Sequence, residues 1–180
     1  MHREIQQFVD ELKTLGTPER MLWDKAYHKS TREHFGVAAP LIEKLAKKIA
    51  VSYPENELFF LSQKLWETDL FDPMILSIRI LNQKQIKAGN TLWCTIVQYL
   101  DRIDGWCLED TLAHAAWKCL LNDHTLLNEV ERWTSAPDFW KRRAALVTER
   151  VELANQPALK RVGRFRCQIE HREIIRSHRG

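Results

Sequence analysis

Apolar residues recur at helical spacing along nearly the whole chain. Ile5, Phe8, Val9, Leu12 and Leu15 follow an i, i+3, i+4, i+7 pattern, and Gly16 stops that helix. Thr17 is placed to cap the next one, with Pro18 at its first position and Met21, Leu22, Lys25 and Tyr27 inside. Phe35-Gly36-Val37 is a break, and Pro40 opens a helix bearing Leu41, Ile42, Leu45, Ala46 and Ile49. Leu58 to Trp66 forms another. Asp72-Pro73 starts a helix through Ile75, Ile78, Ile80 and Leu81, and Gly89-Asn90 separates it from Leu92 to Leu100. Asp104 is placed to cap a helix from about Gly105 to Leu121, His124 to Trp133 follows, and Pro137 opens the last.

The pattern predicts about nine helices of roughly 10–17 residues, short connectors and no strand. Helical hairpins in such a row build either an irregular bundle or an α-solenoid of HEAT type. No repeat period can be aligned around Trp66 and Trp133, so helix pairing carries the solenoid expectation. Trp93 and Trp117 lie in apolar helices and belong to the core. Trp133 and Trp140 are expected to pack.

Composition narrows the class. The chain has 180 residues, 44% hydrophobic and 28% charged, which suits a globular protein able to bury a core. No apolar run reaches the roughly 18 residues of a membrane span, and the N-terminus is polar, so a cytoplasmic protein without a membrane partner is expected. Cys94, Cys107, Cys119 and Cys167 include no CxxC pair and read as reduced, mostly buried thiols. Charge is uneven. Lys141 to Gly180 carry 11 Lys/Arg against 4 Asp/Glu, a net +7, which leaves −4 on the first 140 residues. A basic end favours a polyanion partner without specifying which.

Metal, nucleotide and serine-hydrolase motifs are absent, and His28 and His34 are too isolated in sequence to argue for zinc. No metal or cofactor is expected. Two segments remain unusual. In Asp104-Gly105-Trp106-Cys107-Leu108-Glu109-Asp110, an indole and a carboxylate lie four residues apart, on one helix face and one turn apart. Trp140-Lys141-Arg142-Arg143-Ala144-Ala145 follows about thirty residues later. Its two arginines are adjacent in sequence and so cannot point the same way on a helix.

Four segments in this order resemble the AlkD-like DNA alkylation repair family of HEAT-like repeat glycosylases. They are Tyr27-His28-Lys29-Ser30 with His34-Phe35-Gly36-Val37-Ala38-Ala39-Pro40; Leu65-Trp66-Glu67; Trp106-Cys107-Leu108-Glu109-Asp110; and Trp133-Thr134-Ser135 with Trp140-Lys141-Arg142-Arg143. The match covers roughly Tyr27 to Val147. The resemblance implies an all-α, HEAT-like α-solenoid of antiparallel helical pairs, with a concave face for double-stranded DNA carrying alkylated purines.

It also implies roles. Asp110 is the catalytic carboxylate, and Trp106 and Tyr27 wall the lesion nucleotide. Arg143 contacts a phosphate, with Arg142 and Lys29 as further DNA-binding residues. From its residues alone, Tyr27 either lines a cleft or packs a helix end. The implied domain is residues 1–155, acting as a monomer. Residues 156–180 are a basic tail or final helix that departs from the family: Leu159-Lys160-Arg161-Val162-Gly163-Arg164-Phe165-Arg166 stands where a further aromatic segment is expected. Two function classes follow, an alkylpurine glycosylase and a non-catalytic helical-repeat module binding DNA or protein.

Overall fold

The computed structural model describes residues 2–28 and 30–155, and these form nine α-helices, one short 3-10 turn and no strand. In chain order the helices are α1 (His2–Leu15), α2 (Pro18–His28), α3 (Ala39–Ser52), α4 (Glu55–Glu67), α5 (Phe71–Leu81), α6 (Asn90–Leu100), α7 (Trp106–Asn122), α8 (Leu127–Trp133) and α9 (Phe139–Asn155). The 3-10 turn His124–Leu126 leads into α8. Every expected helix is present, and the starts expected at Pro18, Pro40, Pro73, Asp104 and Pro137 lie within two residues of those observed.

The packing is that of a helical repeat. α3 packs on α5, α5 on α7 and α7 on α9, so alternate helices form one row. The intervening helices form a second layer, with α4 on α5, α6 on α7 and α8 on α9. From α3 to α9 the helices thus pack against neighbours one or two places along the chain, as stacked helical hairpins do, while α1 packs on α4 and α5. α5, the central helix, is buried from Phe71 through Ile78. Trp66 stacks on Tyr99 at 4.1 Å between ring centres, and Trp93 on Trp133 at 5.3 Å. Trp93 and Trp117 are in the core as expected, and Trp133 packs there too.

Helix starts follow local chemistry in two places. Thr17 Oγ1 accepts the Arg20 amide at 3.3 Å, and Asp138 Oδ1 accepts the Lys141 amide at 2.8 Å. Two other acids near helix starts serve the α2–α3 loop, Asp104 in place of the cap expected of it. Asp104 is not the cap of α7, a position held by extended Gly105; its carboxylate reaches the α2–α3 loop instead. Asp72 lies inside α5, nearly fully buried, and accepts the amides of Phe35 at 2.6 Å and Val37 at 3.1 Å. Both acids satisfy loop amides that no helix serves, which is worth more than a cap that solvent can replace.

The α2–α3 loop depends on Gly36, whose φ of +77° is in the left-handed region. A Cβ there would lie 2.3 Å from the Met21 amide nitrogen and 2.5 Å from Thr17 O. The loop thus lies directly against the start of α2 and sets where α2 points. Cys107 and Cys119 are wholly or largely buried, as expected of structural thiols, but Cys94 is exposed; all three are free. Lys29, Cys167 and the segment 156–180 lie outside the described residues.

Candidate active site

The candidate site forms where the end of α2 meets the start of α7. Trp106 is the first residue of α7, and Asp110 follows one turn later. Exposed Tyr27 meets the Trp106 ring edge-on at 5.1 Å, and the indole N–H donates to Tyr27 O at 3.4 Å. Trp23, one turn before Tyr27 and half exposed, stacks on it at 4.5 Å. Trp23, Tyr27 and Trp106 thus make a continuous aromatic surface ending one turn from a carboxylate. Beneath it, Phe71 stacks on both His28 at 4.8 Å and His34 at 4.0 Å. Burial, partly opposed by Asp24, holds His28 below its ordinary value, so His28 is neutral at pH 7.

A charged clasp holds the two helices in register. Asp104 accepts Ser30 Oγ at 2.8 Å and the Thr31 amide at 3.1 Å, and pairs with Arg32. Arg32 also reaches Asp69 at 3.0 Å and the Arg102 carbonyl at 2.6 Å. One arginine therefore ties the loop after α2 to the turns before α5 and α7, which fixes Tyr27 beside Trp106.

Arg143 arrives from α9. Its Nη2 donates to Asp110 Oδ1 at 2.7 Å and its Nε to Glu109 Oε2 at 2.8 Å. The two acids differ sharply: Glu109 has no exposed surface, whereas the Asp110 side chain is 39% exposed. Burial and the neighbouring Asp110 push the Glu109 carboxyl up to about 9, against the pull of Arg143. Glu109 is therefore protonated at neutral pH. Burial works against the Arg143 charge, but Asp110 and Glu109 outweigh it and raise its pKa further. Cys107, one residue from Trp106, is pushed up to about 11 by burial and is not a nucleophile.

Of the residues singled out from sequence, Trp106, Asp110, Tyr27 and Arg143 come together. Arg142 does not join them: its Nη1 donates to the carbonyls of Ala136 at 2.8 Å and Pro137 at 2.7 Å, closing the turn before α9. Lys29 is outside the described residues. Sequence reasoning passed over Glu109, Trp23 and the Arg32–Asp104 clasp. Glu109 left a signal, being an acid on the apolar stripe of α7 between Leu108 and Leu112. Trp23 lies at helical spacing from Tyr27. The clasp left none, since it joins residues more than 70 positions apart.

Among the described residues no three His, Cys, Asp or Glu side chains are grouped to hold a metal ion, and no helix is long and apolar enough to cross a membrane. In comparisons with known proteins, the family model described as "DNA alkylation repair enzyme" matches residues 8–163. No curated protein and no solved structure matches the chain.

Proposed function

Because the chain belongs to the DNA alkylation repair enzyme family, with DNA as its substrate, we propose that it is a monomeric glycosylase for cationic N3- or N7-alkylated purines in duplex DNA. The observation carrying this reading is a half-exposed carboxylate, Asp110, gripped by Arg143 one turn from an open aromatic surface. An alkylated purine already bears positive charge and leaves without a general acid. One carboxylate then suffices where ordinary glycosidases use two.

The C1′–N bond breaks, its electrons go to the departing base, and the base leaves neutral. Asp110 stabilises the oxocarbenium-like sugar and takes a proton from the water that adds to C1′. The Trp106 face adds a cation–π contribution of about 0.5–2 kcal/mol beside the cationic centre. Tyr27 supplies the second wall.

Arg143 takes a different part from the phosphate contact that resemblance alone suggests. One edge of its guanidinium is committed to Asp110 and Glu109, so its main work is to orient Asp110. Its remaining N–H donors are available to a phosphate.

Asp110→Asn tests the chemistry. The amide keeps the size and loses the charge, so single-turnover release of 7-methylguanine or 3-methyladenine should nearly vanish while DNA affinity stays close to wild type. If wild type and variant are both inactive where a known glycosylase works, the protein is a non-catalytic DNA-binding module.

A further inference from the structure

Glu109 takes no part in the chemistry above, yet it is the most deeply buried acid among the described residues. It occupies the apolar stripe of α7 with Leu108, Leu112 and Ala116. A leucine would fill the same space without any polar group to satisfy, so the acid needs a reason.

The contacts supply one. Glu109 Oε2 and Asp110 Oδ1 accept from Nε and Nη2 of one guanidinium, at 2.8 and 2.7 Å. Two adjacent donors of a rigid planar group, bound to acceptors on consecutive residues, fix both its position and its plane. Glu109 is the inner anchor and Asp110 the outer, half-exposed one. The other oxygen, Oε1, has no protein partner and lines a cavity of about 10 Å³ with Thr148, whose Oγ1 also lacks one. The inner carboxyl thus has one oxygen without a partner, while Arg143 holds the other and the adjacent Asp110 carboxylate shares a hydrogen bond with the protonated group.

We propose that Glu109 is a positioning residue for base release: it holds the Arg143 Nε–H so that the Nη2 edge keeps Asp110 aimed beside Trp106. This rests on the glycosylase reading above. The groups facing Glu109 account for how it can do so. Asp110 on its own helix and Arg143 on α9 are the charged ones acting on it. Across the cavity α6 presents Ile96 and Leu100, α8 presents Trp133, and α9 adds Ala144 and Thr148. In these surroundings the neutral acid accepts the bond while leaving the Arg143 charge to Asp110. An ionised Glu109 would compete for it.

Two variants separate positioning from packing. Glu109→Leu removes the acceptor and completes the apolar stripe. It should stay folded and bind DNA equally well, yet release base about 10- to 100-fold more slowly, the cost of a misplaced reacting group. The Arg143 Nε–H resonance, protected in wild type, should be lost to solvent exchange. Glu109→Gln restores the acceptor in neutral form. It should recover the rate to within about threefold and lack the fall in rate that wild type shows above about pH 9, as Glu109 ionises. A Leu variant that releases base within about twofold of wild type, or keeps the Arg143 signal, overturns the proposal. A merely structural Glu109 would move the melting temperature and leave the rate and pH profile alone. If wild type releases no base, the glycosylase reading falls, and the Arg143 resonance by itself decides whether Glu109 holds the guanidinium.

Discussion

Arg143→Ala should cost stability by an amount that reports the protonation state of Glu109. The Nε–H bond to a fully buried carboxyl is worth about 1.5–3 kcal/mol. The Arg143–Asp110 pair has side chains 34% and 39% exposed, so after solvent screening it adds only about 0–1 kcal/mol. The expected loss at pH 7 is therefore about 1.5–4 kcal/mol, or roughly 3–16 °C in melting temperature for a chain of this size.

The pH dependence is more decisive. Glu109 titrates at about 9 in the fold against an ordinary 4.5, so the folded state holds the proton over that window and stability falls as pH rises through it. Without Arg143 the folded value rises further, and the variant keeps falling after wild type levels off. Below about pH 8 Glu109 is neutral in both, so the difference between them should stay flat from pH 5 to 8 and widen above 9. Urea denaturation followed by helical circular dichroism at each pH measures this. A difference that grows steadily between pH 5 and 8 would show Glu109 ionising there and refute the assignment. A loss below about 0.5 kcal/mol would refute the bond itself.

Other expectations follow from the same contacts. Asp72→Ala leaves the buried amides of Phe35 and Val37 without their acceptor and should cost about 2–5 kcal/mol by denaturation. Gly36→Ala forces a Cβ against the backbone of Met21 and Thr17 at positive φ; a loss under about 1 kcal/mol would contradict the tight loop. Burial holds the folded His28 below 6.5, so the unfolded chain takes up its proton first and stability falls as pH drops from 6.5 through the folded value. His28→Phe should flatten that acid limb in melting curves between pH 7 and 5. DNA affinity should fall steeply with salt and vary little among undamaged sequences, since phosphate contacts dominate; a strong preference for one undamaged duplex in fluorescence anisotropy would contradict this.

The helices were legible in the sequence because helix formation is local. A 3.6-residue period, a proline near a start and a glycine after an end are all short-range signals, and each predicted helix exists, the five with a marked start lying within two residues of it. Trp106 and Asp110 were legible for the same reason, being one turn apart on one element. Side-chain partnership is a different matter. Asp104 looks like a helix cap and Asp72 like a solvated first-turn acid to any local reading, yet both accept amides of the α2–α3 loop once the helices pack. Arg143 looked free to meet a phosphate until α9 docked on α7 and set it against two acidic side chains over 30 residues away. Glu109 showed itself as an acid on an apolar stripe, but its proton comes from the burial that neighbouring helices impose and from the Asp110 carboxylate beside it. The chain's local periodicity determined which residues share a helix face. Only the stacking of the helices decided which charges meet, because burial and pairing depend on residues that sequence proximity does not join.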